Sequence, residues 1–271
     1  HSSPRRQRQM CIRDSLQDYF DQGVNYAPSC QILQKVRERK NEDFQSFFAI
    51  QTPTEDLYDL GIISIIKKQF NDVEIIKENK ATKSELINHP KLSLANSILF
   101  FCHGEFNLNS PLDSGLILAD EKLTLGDIIQ NLNLSKCRLV TLAACETGLT
   151  DIFNQEYIGL PSGFLLAGST NIVASLWSVR ADATALLILR LYQELEKSDN
   201  IVVALKTAQN WLRDTKVQQL KEWVSKSPLI DFWQVMLDET LTQMENQEGA
   251  NCKPYNSPYF WAGFCVVGKG E

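Results

Sequence analysis

Ser97-Ile98-Leu99-Phe100-Phe101-Cys102-His103-Gly104 and Arg138-Leu139-Val140-Thr141-Leu142-Ala143-Ala144-Cys145-Glu146-Thr147-Gly148 repeat one pattern. Each is an apolar run of strand length that stops at a reactive side chain, His103 or Cys145, with glycine following at once or three residues on. Runs that are apolar at every position belong to strands covered on both faces, as in parallel sheets. Open α/β sheets place their chemistry in loops beyond the carboxyl ends of such strands. The two stretches therefore predict a parallel sheet offering a base at one strand end and a thiol at another. A cysteine nucleophile needs its histidine close in space, not close in sequence.

The flanking sequence supplies the rest of an α/β alternation. Gln17 to Gln45 is mostly polar and reads as a lead-in helix or loop, and Ser46 to Ile50 as a first strand. Thr52-Pro53-Thr54-Glu55 is a capping box with proline at the first helical position. The helix it opens carries Leu57, Leu60, Ile63 and Phe70 on one side. Val73 to Ile76 is a second strand, Thr82-Lys83-Ser84-Glu85 a second capping box, and Pro90 ends its helix. Ser97 to Cys102 is a third strand. Glu105 to Asp120 is a long loop in which Gly115 to Leu118 forms a short edge strand. Thr124 caps a helix that buries Leu125, Ile128, Ile129 and Leu132, spaced i, i+3, i+4 and i+7. Arg138 to Ala144 is a fourth strand, Leu160 to Ala167 a helix closed by Gly168, and Ile172 to Trp177 a fifth strand. Helices follow over Ala181 to Leu195 and Ile201 to Arg213, then a helical insertion over residues 214–249, and a last strand over Tyr259 to Gly268. Strands alternating with capped helices predict a mostly parallel central sheet with helices on both faces.

The whole chain, 271 residues with 44% apolar and 22% charged side chains, has the composition of an ordinary globular protein. Its net charge of −6 argues against general affinity for nucleic acid or an anionic membrane. Residues 1–15 stand apart: Arg5, Arg6, Arg8 and Arg13 lie in a stretch without periodicity. They read as a non-native or disordered arm, resembling a translated sequencing adapter, with a natural basic arm as the other reading. Residues 16–271 read as one domain. The seven cysteines, at 11, 30, 102, 137, 145, 252 and 265, form no C-x-x-C pair, which argues against structural zinc. Their odd number and apolar settings suit reduced thiols and a cytoplasmic location. No apolar run reaches the roughly 18 residues of a membrane helix.

His1 lies in the doubtful arm, and His89, before Pro90, reads as a surface residue or helix cap. His103, followed by a glycine that allows close backbone approach, is the candidate base. Cys102, Cys137 and Cys265 read as inert core, and Cys30 and Cys252 as polar-surface thiols without a histidine. Cys145 is the candidate nucleophile, because nothing apolar continues its strand. Glu146 and Thr147 are weaker candidates, with solvation or backbone N–H bonds the simpler account of Glu146 and turn formation that of Thr147, and Glu105 is a weaker candidate still for contact with substrate. Trp177 reads as core or pocket wall.

Phe101-Cys102-His103-Gly104-Glu105-Phe106, Leu142-Ala143-Ala144-Cys145-Glu146-Thr147-Gly148, Val173 to Val179 and Tyr259 to Phe264 together resemble the CHAT domain, a caspase-like domain often attached to tetratricopeptide repeats in bacteria. Asn25 to Ser29 and Ala81 to Leu86 are similar to the same family, so the resemblance spans about residues 24 to 268. It implies a three-layer caspase-haemoglobinase-like fold related to caspases, separases and gingipains. It also implies a cysteine endopeptidase with His103 as base, Cys145 as nucleophile, and backbone N–H groups of Gly104 and Cys145 as oxyanion hole. No metal and no cofactor is expected. The expected partner is a protein or peptide substrate, with tetratricopeptide repeats upstream in a longer regulated protein.

Caspases carry a glutamine two residues before the nucleophile and metacaspases an aspartate, but this chain has Ala143. Family members often show an acidic pair after the W-x-V triplet, where this chain has Arg180-Ala181-Asp182. Asp182 is thus open to two readings, lining a pocket for a basic residue or capping the next helix, with Arg180 opposing it. Two other functions suit the same residues: an idle caspase-like scaffold, or a cysteine hydrolase or transferase acting on a non-peptide acyl group.

Overall fold

The two diagnostic runs lie side by side in the middle of a seven-stranded sheet in the computed structural model, which describes residues 19–51, 54, 61–107, 109–143, 151–153 and 156–271. In chain order, β1 (Asn25–Tyr26), α1 (Cys30–Arg37) and β2 (Ser46–Gln51) are followed by α2 (Ile62–Ile66), β3 (Asp72–Lys77), α3 (Lys83–Asn88) and β4 (Ser97–Phe101). Three short strands come next, β5 (His103–Glu105), β6 (Gly115–Ile117) and β7 (Lys122–Thr124), then α4 (Leu125–Asn131) and β8 (Leu139–Leu142). A hairpin, β9 (Asp151–Phe153) and β10 (Glu156–Ile158), leads to α5 (Leu160–Ala167) and β11 (Asn171–Ser175). The chain finishes with α6 (Ala181–Leu195), α7 (Ile201–Asp214), α8 (Val217–Lys226), α9 (Asp231–Glu248), α10 (Pro258–Trp261) and β12 (Phe264–Gly268).

The sheet order is β1-β12-β11-β8-β4-β2-β3. β12 runs antiparallel to β11, and the other pairs are parallel. One face packs Phe47, Ala49, Leu99 and Phe101 against α2, α6 and α7, and the opposite face packs Phe48, Ile50, Ile98 and Phe100 against α3, α4 and α5. This is the three-layer arrangement with helices on both faces that continuous apolar runs require. The crossover from β2 to β3 uses α2 on the first face, whereas those from β3 to β4 and β4 to β8 use α3 and α4 on the second. Right-handed crossovers change face when the strand order reverses direction. The reversal therefore falls between β2 and β4.

Local chemistry sets the element ends. Thr124 Oγ1 accepts from the Asp127 N–H at 3.0 Å while Asp127 Oδ2 accepts from the Thr124 N–H at 2.9 Å, so each satisfies an otherwise orphaned donor. Thr82 caps α3 by accepting from the Glu85 N–H at 3.2 Å. Gly168 ends α5 at φ +128°, where an added Cβ would stand 2.7 Å from the Leu134 and Ser135 backbone.

The sequence reading needs correction in five places. β4 stops at Phe101, Cys102 makes a bend, and His103 opens β5 in a separate three-stranded antiparallel sheet, β5-β6-β7. The Gly115 strand belongs to that small sheet and not to the edge of the main one. The run Tyr259 to Gly268 divides: Pro258 starts a helical turn, and the strand begins at Phe264. Ile129 is 39% exposed, so the buried face of α4 is narrower than its spacing implies. The lead-in contains a strand, β1, as well as a helix. The 214–249 region is helical, as α8 and α9. Residues 1–15 and Thr52, Pro53, Glu55, Leu57 and Leu60 lie outside the described residues. Among the described residues no helix is long and apolar enough to cross a membrane.

Candidate active site

His103 and Gly104 follow β4 after the one-residue bend at Cys102 and are half-buried. Their backbone is held by pairing with β6, His103 opposite Ile117 and Gly104 opposite Leu116. The small sheet thus fixes the chain where it leaves the large one, in the loop region where chemistry is expected. Glu105 opposes Gly115 and its carboxylate meets Lys122 Nζ at 3.1 Å, so it serves the β5-β7 sheet.

β8, which leads to Cys145, is the parallel neighbour of β4. Ser97 pairs with Leu139 and, at the far end, Phe100 with Leu142. The Ala143 N–H continues the ladder to the Phe100 carbonyl at 2.9 Å. His103 lies three positions beyond Phe100, and Cys145 three positions beyond Leu142. Cys145, Glu146, Thr147 and Gly148 themselves lie outside the described residues.

The other thiols are poor nucleophiles. Cys102 and Cys137 are buried, and burial pushes both thiols far above the ordinary cysteine value; Cys137 Sγ also donates to the Leu139 carbonyl at 3.3 Å. Cys252 is raised as well, first by burial and then by Glu248 and Glu245. Cys265 is buried and Cys30 exposed. His89 is the C-cap of α3; its Nδ1 accepts from the Lys91 N–H at 3.3 Å and its ring stands edge-on to Phe48.

Beyond β11, Asp182 is the second residue of α6 and Arg180 its N-cap. Arg180 donates from Nε to Asp182 Oδ1 at 3.0 Å and from Nη2 to Oδ2 at 2.6 Å. The buried Tyr255 hydroxyl donates to the same Oδ2 at 2.8 Å. Burial, then the Asp182 charge, drive the Tyr255 hydroxyl pKa upward. The Asp182 carboxylate thus takes three hydrogen bonds from its own chain. Trp177 is core, 2% exposed, with Nε1 donating to the Tyr259 carbonyl at 2.9 Å. Gly263 lies against it, because an added Cβ would come within 3.1 Å of the indole and 2.8 Å of Val179. The two motifs, each with one tryptophan, are therefore one interlocked unit. Among the described residues no three His, Cys, Asp or Glu side chains gather as metal ligands would.

The family model for the CHAT domain matches residues 21–269. The chain belongs to the CHAT domain family. Among solved structures, this CHAT domain is similar to separase in the Saccharomyces cerevisiae separase–securin complex, at TM-score 0.53 and 12% identity over 91% of this chain and 14% of that one. A second crystal structure of that complex matches at TM-score 0.52 and 15% identity, over 69% of the CHAT domain and 12% of the other chain. RgpB of Porphyromonas gingivalis matches at TM-score 0.48 and 10% identity, over 92% and 50% of the two chains. No curated protein matches. The separase likeness is one of fold: the CHAT domain has the caspase-like architecture of cysteine peptidases, and it spans about a seventh of the separase chain it matches.

Proposed function

We propose that this CHAT domain is a cysteine endopeptidase in which His103 and Cys145 form the catalytic dyad. His103 accepts the Cys145 proton as the sulfur attacks the scissile carbonyl. It returns that proton to the leaving amine as the C–N bond breaks and a thioester remains, and water then hydrolyses the thioester and restores the thiol. Backbone N–H groups of Gly104 and Cys145 stabilise the tetrahedral oxyanion, a contribution of about 2.7–4 kcal/mol per donor in comparable sites. The observation that carries this reading is the register of β4 and β8: both residues lie the same number of steps beyond one paired level on adjacent parallel strands. The half-buried setting of His103 and the high thiol pKa values of Cys102 and Cys137 support the same assignment.

We assign a protein or peptide substrate and a reducing, cytoplasmic setting, which the free thiols of Cys30, Cys102, Cys137, Cys252 and Cys265 support. We also infer an effector role in a longer regulated protein bearing tetratricopeptide repeats. Cys145→Ala and His103→Ala should each lower peptide cleavage on the order of 10³-fold or more while leaving the melting temperature unchanged. Cleavage that survives either substitution removes the dyad.

A further inference from the structure

β2 ends in a polar residue that its surroundings do not explain. Gln51 follows Phe47-Phe48-Ala49-Ile50, all buried, and is itself 1% exposed. Its Oε1 is buried and has no hydrogen-bond partner among the described residues. A carbonyl oxygen stripped of water and left unpaired lowers stability, and buried acceptors are normally satisfied.

Its position suggests what would satisfy it. By strand alternation Gln51 shares a face with Phe47 and Ala49. Its register partner on β4 is Phe101, two residues before His103. Phe101 is in turn level with Ala143, one step past the Phe100–Leu142 pair on β8. Gln51, Phe101 and Ala143 therefore form a row across three strands, about 10 Å from first to last at ordinary strand spacing. The row crosses the carboxyl end of the sheet where the strand order reverses, between β2 and β4. Doubly wound sheets open a ligand crevice at that place, because the helices on either side of it leave on opposite faces. Phe101 and Ala143, both buried, make the rest of the row apolar, and Gln51 is its polar end.

We propose that Gln51 is a specificity-determining residue whose Oε1 accepts a hydrogen bond from an N–H-tipped side chain of the bound peptide. Resting on the peptidase reading, this assigns the substrate class: peptides presenting lysine, arginine or glutamine, whose methylene stem lies along Phe101 and Ala143. A carboxylate-tipped side chain has no proton to donate to Oε1 and would have to be met by the opposite, Nε2 end of the amide. Asp182, whose carboxylate is already held by Arg180 and Tyr255, is not needed for this recognition.

The test compares the full chain with its Gln51→Leu and Gln51→Glu variants on a peptide library and by thermal melting, with and without arginine amide as a probe. The wild type should cleave beside lysine, arginine or glutamine, and Gln51→Leu should lose that preference by about tenfold or more. Gln51→Glu should favour lysine and arginine over glutamine. Gln51→Leu should melt at or above the wild-type temperature, since it removes an unpaired acceptor, and arginine amide should stabilise the wild type but not this variant. A cleavage profile unchanged in Gln51→Leu, or a melting temperature several degrees below wild type, overturns the proposal. If the wild type cleaves nothing, the peptidase reading falls by itself, and the melting comparison with arginine amide still decides Gln51.

Discussion

Cys102 and His103 adjoin in sequence but have opposite chemical fates. One backbone bend leaves the thiol in the core and carries the imidazole into the small sheet. Burial keeps the Cys102 thiol protonated, so iodoacetamide under native conditions should label exposed Cys30 and leave Cys102 and Cys137 untouched until the protein unfolds, as peptide mass mapping would show. If Cys145 labels no faster than Cys137, its nucleophilic role is lost. Gly263 offers a test of packing at the same scale. Gly263→Ala forces a methyl group against Trp177 and Val179 and should cost about 1–3 kcal/mol, read as a lower midpoint in urea. The candidate base and nucleophile were legible because each stands at the end of an apolar run. Gln51 was harder to see, since one polar residue after such a run looks like an ordinary strand exit until its burial is known.

The helices that cover the second face are joined through charge. Lys83 in the first turn of α3 meets Asp127 of α4 at 2.8 Å, and Asp127 also completes the Thr124 cap. Burial alone would raise the Asp127 carboxyl, but hydrogen bonds from Lys83 and Thr124 outweigh it and hold the carboxyl below its ordinary value of 3.8. A depressed carboxyl contributes stability above its unfolded pKa and loses it as pH falls through the folded one. Lys83→Met should therefore move the acid limb of the stability curve to higher pH, seen in urea titrations repeated from pH 6 down to pH 3. Thr124→Ala should cost about 1 kcal/mol near neutral pH. Such caps were readable because they join fixed residue types to a fixed spacing. The β5-β7 sheet was not, since three-residue strands are too short to show a period. The Tyr259 run misled for another reason: it is as apolar as a strand, but Pro258 and the Trp177 contact turn its first half into helix α10.

The mostly parallel sheet with helices on both faces followed from the alternation of runs and caps, whereas the order of its strands was not legible, because runs and caps do not say which strands neighbour each other. Less visible was the closure of one sheet edge by segments from opposite ends of the chain. Val266 and Val267 pair with Asn25 and Tyr26, and Asn25 Nδ2 donates to the Gly268 carbonyl at 2.9 Å. Asn171 fastens the same corner, with Nδ2 donating to the Glu271 carbonyl at 3.0 Å and Oδ1 accepting from the Gly270 N–H at 2.6 Å. A chain beginning at residue 28 should leave the outer edge of β12 unpaired and associate through it, a change that light scattering would detect at micromolar concentration. The same pairing bears on how the protein is made. β1 leaves the ribosome some 240 residues before β12, the strand it joins. During translation the nascent polypeptide must hold this strand in waiting, and a premature stop before Phe264 yields a product whose sheet cannot be completed.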